Sequence, residues 1–391
     1  MPGADDGSLS NRGLADILVK IDRPAAGSQE YAVSSLGGGP RPEEAQSRAR
    51  DGGIAGRAGG APLYAALDLG TNNCRLLVAR PAGYLAPTGA ESLRVVDAYS
   101  RIVRLGEGLS QTGRLGEAAI QRTLEALDIC RDKMDRRGVT KARLIATEAC
   151  RAADNGEEFV ERVFERTGLR LEIIDRETEA RLAALGCGSL ADPQARGVLL
   201  FDIGGGSTEI VWLAPDEARK QGARSVTIWT SIELGVVSLA ERFGGHHVDD
   251  NTFEDMVAAF DEKLRPFTKQ AMEQRACGRF HLLGTSGTVT TVAGIHLDLP
   301  RYDRRRVDGL WMSADQADDA IDRLRAMDYH QRAANGCIGH ERADLVLAGC
   351  AILEAIRRAF PAPRIRIADR GLREGILLEL MRADRAGETR I

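Results

Sequence analysis

Cysteine is scarce in this chain of 391 residues and is not arranged in pairs. The seven cysteines are scattered, odd in number and free of any CxxC pair, so neither a disulfide framework nor a zinc site is indicated. No apolar run approaches the roughly 20 residues of a membrane span, and the N-terminus lacks the compact apolar core of a signal peptide. We therefore expect a cytoplasmic protein without a membrane partner.

A strong charge of one sign is also missing. The formal net charge is -4, which is too small to attract nucleic acid unspecifically. We therefore expect no DNA partner, and any polyanion must be met by a local patch. Apolar residues make up 43% of the chain, which is enough for large cores, and the length fits two domains.

Residues 1–61 differ in composition from the rest of the chain. They are rich in Gly, Ala, Ser and Arg and have few large apolar side chains. This composition predicts a mostly disordered extension. A short helix over residues 14–21 and a role as a docking tail stay open as alternatives.

Residues 198–212 have the pattern of a tight hairpin whose turn binds an anion. One apolar run ends at Asp202, and a second resumes after Glu209. The turn between them consists of small and hydroxyl residues: Gly204, Gly205, Gly206, Ser207 and Thr208. Backbone N–H groups and hydroxyls suit phosphate oxygens, whereas two carboxylates beside an anion require a cation. The stretch therefore predicts a site for a metal-bound polyphosphate group; the alternative is a plain glycine hairpin.

The same design occurs earlier in the chain. An apolar run leads into Asp68, and residues 68–73 form another glycine turn before a second strand. Asp68 and Asp202 thus occupy equivalent places in two similar units, which implies a duplicated domain. A third loop, residues 284–288, precedes a predicted helix whose N-terminus is a natural anion site. Two such lobes facing each other would clamp a phosphate chain.

Alternating strand and helix patterns predict an α/β protein with a central sheet in each lobe. We place lobe I at 62–191 and lobe II at 192–385, with the boundary at Asp192-Pro193. The last helix has the alternative of packing back on lobe I, and 386–391 is a tail.

Several helices can be placed from periodicity and capping residues. Apolar spacing predicts helices over 114–137 and 341–359, and Asn155 is placed to cap another. A further helix is expected to open at Asp175 and to run to about Leu190, with Glu179 near its start.

Taken together, seven stretches resemble the Ppx/GppA family of exopolyphosphatases and guanosine pentaphosphate phosphohydrolases. They are ALDLGTNNCRLLVA (66–79), ATEACRAADN (146–155), ETEARL (177–182), FDIGGGSTEIV (201–211), GTSGT (284–288), ERADLVLAG (341–349) and DRGLREGIL (369–377). The likeness extends over residues 62–383. It implies the duplicated actin-like, ribonuclease-H-like fold with two lobes around a central cleft, a fold that also serves sugar kinases and ATPases.

The resemblance also implies roles for individual residues. Glu179 would be the base that activates water, and Glu209 the second catalytic carboxylate. Asp202 and Glu209 would hold Mg²⁺, with Asp68 joining them or orienting water; a monovalent cation such as K⁺ stays open. The expected substrate-binding residues are Thr71, Asn72, Arg151, Gly204, Gly205, Gly206, Ser207, Thr208, Ser286, Gly287 and Thr288.

We therefore predict an exopolyphosphatase that releases orthophosphate from the end of inorganic polyphosphate. The alternatives are guanosine pentaphosphate (pppGpp) hydrolysis in the same cleft, an actin-like kinase or ATPase, and a non-catalytic sensor of polyphosphate or alarmone. Because the sequence ends at Ile391, we expect it to lack the C-terminal helical domain of longer relatives. Processivity on long chains and a homodimer both stay open.

Overall fold

The computed structural model describes residues 61–82, 93–216, 224–274 and 279–388. Almost all of the predicted N-terminal extension, including the alternative helix at 14–21, lies outside the described residues. None of the described helices combines the length and the apolar composition that a membrane crossing requires.

The first half of the described chain builds one sheet and its helices. Its elements are β1 Tyr64–Leu69, β2 Asn73–Pro81, β3 Leu93–Ile102, α1 Leu109–Thr112, α2 Glu117–Arg137, β4 Lys141–Ala146, α3 Glu148–Ala152, α4 Gly156–Thr167, β5 Glu172–Ile173 and α5 Arg176–Cys187. The order of the strands across the sheet is β3-β2-β1-β4-β5. β1 is antiparallel to β2 and parallel to β4.

The second half builds a larger sheet. Its elements are β6 Gly197–Ile203, β7 Thr208–Pro215, β8 Arg224–Ile232, α6 Val236–Phe243, α7 Asp250–Gln274, β9 Phe280–Thr285, α8 Ser286–His296, α9 Arg304–Val307, β10 Trp311–Ser313, α10 Ala314–Arg325, α11 Tyr329–Ala334, α12 Val346–Ala359, β11 Arg364–Ala368 and α13 Leu372–Glu388. The order across this sheet is β10-β11-β9-β6-β7-β8.

The two sheets repeat one arrangement. In each, a strand with an aspartate near its end pairs antiparallel with the next strand and parallel with a later one: β1 with β2 and β4, and β6 with β7 and β9. Asp68 and Asp202 lie one residue before the ends of β1 and β6. The predicted duplicated α/β architecture is therefore confirmed. The limits of the two lobes stay a prediction.

Two helices lie between the sheets and determine where the site forms. Leu182 of α5 packs with α13 and the first sheet, whereas Ala180 and Ala184 pack on the second sheet. α5 and α13 approach closely, because a Cβ added at Gly186 would lie only 1.9 Å from the carbonyl oxygen of Gly371. The start of α5 is thereby held at the seam between the sheets, and Glu179 with it.

Polar contacts also join the two halves beside this seam. Arg104, in the loop after β3, pairs with Asp344 at 3.0 Å and donates to the carbonyl of Glu341 at 3.0 Å. The carboxylate of Glu241 on α6 accepts from the backbone N–H of Gly108 at 2.9 Å. Direct polar contacts therefore connect the two halves of the described chain beside the seam.

Three local predictions differ from the structure. The helix expected over 114–137 begins at Glu117, because its N-cap Gly116 has an extended backbone with φ -77° and ψ 143°. Asn155 stands at the N-cap of α4, but its side chain bonds to both backbone polar groups of Leu115 instead of capping. The helix expected over 341–359 is divided into a short 3₁₀ turn at His340–Arg342 and α12.

Candidate active site

The hairpin β6–β7 places two carboxylates side by side. Asp202 and Glu209 are register partners on the antiparallel strands, so their side chains leave the same face of the sheet. The turn between them is closed by a hydrogen bond from Gly204 N to Ser207 O at 2.9 Å. The prediction of a tight glycine hairpin here is confirmed.

The hairpin β1–β2 has the same construction. Its turn is closed by a hydrogen bond from Gly70 N to Asn73 O at 2.9 Å, and Asp68 is the register partner of Arg75. Its tip touches the other hairpin: a Cβ at Gly205 would lie 2.9 Å from Thr71 Cβ. Glycine is therefore required where the two turns meet.

A cavity of about 600 Å³ opens between the two hairpins, the start of α5 and the loop before α8. Its wall contains most of the predicted site residues: Asp68, Thr71, Asn72, Glu179, Asp202, Gly204, Gly205, Gly206, Ser207, Glu209, Ser286 and Gly287. The structure therefore brings together residues that are up to about 220 positions apart in the sequence.

Three predicted substrate-binding residues do not line this cavity. Thr208 is fully buried, and its hydroxyl donates to the carbonyl of Leu234 at 2.9 Å. Thr288 packs against the backbone of Gly349. Arg151 directs its donors to neighbouring protein groups, as described below. The geometry gives no support for direct substrate contact by these three side chains.

Glu179 lies in the first turn of α5, where it is held by local structure. Asp175 caps this helix by accepting a hydrogen bond from Thr178 N at 2.7 Å. The Glu179 side chain is 12% exposed, and its Oε2 accepts from Arg151 Nη2 at 3.1 Å. Burial, followed by the negative charge of Glu209, raises the pKa of Glu179 well above its usual range, although Arg151 opposes this. A carboxylate with a raised pKa is a better base near neutral pH.

The neighbouring carboxylates have raised pKa values for the same reason. Burial, followed by the charge of Asp68, raises the pKa of Asp202 to about 6. Burial, followed by the charge of Asp202, raises the pKa of Glu209 to about 7, against the hydroxyls of Ser231 and Ser207, which donate to its Oε1 at 2.8 Å. Burial also raises the pKa of Asp68. The site thus concentrates negative charge that a bound cation would stabilise.

The donor set suits a hard cation with few protein ligands. Within the described residues, no three His, Cys, Asp or Glu side chains are arranged to hold one metal ion. Oxygen ligands are nevertheless abundant in the cavity wall, and Asn72 Oδ1 is buried there without a hydrogen-bond partner. Mg²⁺ is commonly held by one or two carboxylates, with water and phosphate oxygens completing its shell. The described residues therefore suit Mg²⁺ with water and phosphate oxygens among its ligands, rather than a metal ion held by protein ligands alone.

Five arginines in the cavity wall were not predicted: Arg75, Arg101, Arg342, Arg370 and Arg373. Arg101 and Arg370 pair with Glu125 and Asp308. Burial lowers the pKa of Arg342, and the charge of Arg75 lowers it further. Arg342 donates from Nε to the carbonyl of Ile338 and from Nη2 to that of Cys337. Its Nη1 would lie 3.5 Å from a Cβ added at Gly287. Because the described residues show no ion pair between a carboxylate and Arg75, Arg342 or Arg373, the charges of these three are available to an anion. Arg75, the register partner of Asp68, is the one that the hairpin pattern could have identified.

The loop before α8 adds a strained residue. Ser286 has a φ of 82°, a conformation that a non-glycine residue adopts at a cost of about 1–3 kcal/mol and that is concentrated at functional sites. Ser286 lies with Asp202 in the cavity wall, and its hydroxyl acts to lower the pKa of that carboxylate. The strained backbone therefore places Ser286 beside one of the acidic groups of the site.

Comparison with known proteins gives consistent relatives. The sequence model of the Ppx/GppA phosphatase family matches residues 85–384. Guanosine-5'-triphosphate,3'-diphosphate pyrophosphatase of Aeromonas hydrophila is 30% identical over 321 residues, which cover 82% of this chain and 60% of that protein. Exopolyphosphatase 2 of Mycobacterium tuberculosis is 30% identical over 329 residues, which cover 81% of this chain and 98% of that protein.

The fold comparison agrees with the sequence comparison. The crystal structure of the Ppx/GppA family member from Aquifex aeolicus superposes with a TM-score of 0.65 at 29% identity, and it covers 83% of this chain and 98% of that one. The chain thus spans only 60% of the length of the Aeromonas relative, but almost the full length of the mycobacterial and Aquifex proteins.

Proposed function

The chain belongs to the Ppx/GppA phosphatase family, and we propose that it hydrolyses the terminal phosphoanhydride bond of inorganic polyphosphate. The products are orthophosphate and a chain that is one phosphate shorter. The observation that carries this proposal is the position of Glu179: a buried carboxylate with a raised pKa in the same cavity as the two acid-tipped hairpins.

The substrate is proposed to bind with its terminal phosphate between the hairpin turns. Backbone N–H groups of the glycine turn, together with the hydroxyl of Thr71, would donate to the phosphate oxygens. Arg75 and Arg342 would bind the phosphates that follow, through charge-assisted hydrogen bonds. These contacts would use two arginines for which the described residues show no ion pair with a carboxylate.

In the chemical step, Glu179 accepts a proton from a water molecule aligned with the terminal phosphorus. The water oxygen forms the new bond to phosphorus, the bond from phosphorus to the bridging oxygen breaks, and that oxygen keeps the electron pair. Asp202 and Glu209 would hold Mg²⁺ directly or through water, and Asp68 would orient water beside it; when bound, the ion would neutralise charge on the phosphate oxygens. Little covalent chemistry is required of the protein, so alignment and charge carry most of the catalysis.

Hydrolysis of pppGpp is the second candidate. One observation favours it: the Aeromonas relative, which is 30% identical over 82% of this chain, carries the name of a guanosine pentaphosphate enzyme. Both substrates end in a phosphate that would bind in the same way, so the residues around Glu179 do not distinguish between them.

The experiment is a substrate panel with an orthophosphate readout. Purified protein is incubated with polyphosphate of defined length, pppGpp or ATP, each with Mg²⁺ or with EDTA. We expect phosphate release from polyphosphate that requires the metal. If neither polyphosphate nor pppGpp yields phosphate above the EDTA control, the proposal fails, and ADP that appears only with a sugar present would identify a kinase instead.

A further inference from the structure

Glu148, the first residue of α3, is a buried acid that the proposed mechanism does not use. Its side chain lies in the cavity wall and the residue is 7% exposed. Its Oε2 accepts from Arg151 Nε at 3.0 Å and Nη2 at 2.6 Å, and its Oε1 accepts from Arg176 Nη2 at 3.1 Å. Guanidinium donors therefore occupy both oxygens, so Glu148 is poorly placed to act as a base or to hold a metal ion.

Arg151 connects Glu148 to Glu179. The same Nη2 that binds Glu148 also donates to Glu179 Oε2 at 3.1 Å, and Nη1 donates to the carbonyl of Ile174 at 2.7 Å. A guanidinium is planar and presents its donors in a rigid fork. Glu148 and the carbonyl of Ile174 bind two edges of the guanidinium, so they determine the position of the third edge, which faces Glu179.

Glu148 also touches the second half of the molecule. Its partner Arg176, the first residue of α5, pairs through Nη1 with Glu233 after β8 at 2.9 Å. A Cβ at Gly206 would lie 3.1 Å from Glu148 Cγ, so the glycine turn of β6–β7 packs on this side chain. Glu148 therefore stands where α3, the start of α5 and the phosphate turn meet.

From these contacts we infer that Glu148 is a positioning residue: it holds Arg151 in the orientation that aims Glu179 at the attacking water, and it does not contact the substrate. Stability alone gives little reason for such a group, because replacing buried ion pairs by apolar residues is often neutral or stabilising. The inference rests on the proposed function, since it assigns a role in the same hydrolysis.

The test compares kcat and KM for Glu148→Gln, Glu148→Asp and a matched control. Glu177→Gln removes one negative charge two residues from Glu179, but Glu177 is exposed, so this variant should behave as the wild type. Since a displacement of about 1 Å in a catalytic group costs on the order of 100-fold, we expect Glu148→Gln to lower kcat about 10- to 100-fold and leave KM within about twofold. Glu148→Asp, which keeps the charge, should recover part of the loss.

A double-variant cycle tests whether Glu148 acts through Glu179. If it does, Glu148→Gln combined with Glu179→Gln should be no slower than Glu179→Gln alone, because the group being positioned is already absent. Losses that multiply would overturn the inference. So would a Glu148→Gln variant with the kcat of the wild type, or one whose KM alone rises.

Two further measurements keep the outcomes distinct. Phosphate release by the wild type is recorded first; if it is absent, the proposed function fails, whereas a wild-type enzyme that turns over isolates the question about Glu148. Arg176→Gln, at a side chain that is 32% exposed, provides a second variant should Glu148→Gln not fold. We expect it to lower kcat about 3- to 10-fold at unchanged KM through partial displacement of Glu148, and an unchanged kcat would overturn the inference.

Discussion

Replacing Asp202 by asparagine should abolish activity but stabilise the metal-free protein at pH 8. Burial, followed by the charge of Asp68, raises the pKa of Asp202 to about 6, whereas an aspartate in an unfolded chain has a pKa of about 4. The folded protein therefore binds this proton more tightly than the unfolded chain does. Stability from this group is full below pH 4 and is lost as the pH rises through 6.

The pKa difference sets the magnitude. A difference of about 2 corresponds to about 3 kcal/mol of destabilisation by the charged form at pH 8, and to about half of that at pH 5. Asparagine has nearly the same shape and carries no charge. It leaves a buried amide to be satisfied, which costs about 1–2 kcal/mol. We therefore expect Asp202→Asn to raise the free energy of unfolding by about 1–2 kcal/mol at pH 8, and by less at pH 5.

Urea unfolding in EDTA measures the change in the free energy of unfolding at pH 8 and at pH 5. Asp255→Asn is the matched control, because Asp255 is exposed on α7 and its replacement should change stability by less than about 0.5 kcal/mol. If Asp202→Asn is less stable than the wild type at pH 8, burial of the charged Asp202 does not destabilise the fold as proposed. An equal gain at both pH values would also contradict this destabilisation, because the effect would then not come from the charge.

Two further variants test the closure of the hairpins and the grip on the anion. In Gly206→Ala, the new Cβ would lie 2.7 Å from Thr71 Oγ1, so the turns must separate and kcat should fall about tenfold or more. The control is Gly188→Ala, whose Cβ meets nothing within 4 Å and which should leave kcat unchanged. An equal fall of kcat in both variants would contradict a close contact between the turns. In Arg342→Met, loss of a charge-assisted contact should raise KM about 10- to 100-fold, whereas Arg301→Met, at an exposed position, should not change KM. Both values are measured by steady-state phosphate release. An unchanged KM for Arg342→Met would show that Arg342 does not bind the substrate.

Elements held by local interactions could be predicted from the sequence. The β6–β7 hairpin follows from two apolar runs around a glycine turn, because its hydrogen bonds join residues close in sequence. The same holds for α5, whose start was expected at Asp175 and whose cap forms three residues away. Repetition of the Asp and glycine-turn pattern was enough to predict the duplicated architecture.

Features that depend on distant contacts could not be predicted in this way. Arg75, Arg342 and Arg373 come from β2, a 3₁₀ turn and α13, and only the packing of both halves brings them to one cavity. Asn155 had the sequence of a cap, but Leu115, 40 residues earlier, offers its side chain better-placed partners.

Arg151 shows a second kind of difficulty. The sequence places an arginine near the site, and a phosphate contact was the reasonable expectation. In the structure its donors bind Glu148, Ile174 and Glu179. Which partner an arginine selects depends on the carboxylates that folding brings to it, and the pattern around Arg151 contains no information about Glu179.

We infer that Glu179 activates the attacking water at the seam between the two hairpins. The most direct measurement is single-turnover phosphate release by Glu179→Gln, with substrate affinity determined separately and Glu177→Gln as the control. We expect the rate to fall by about 10²- to 10⁴-fold, with the substrate Kd nearly unchanged and the control equal to the wild type. A Glu179→Gln variant that keeps the wild-type rate would contradict the account.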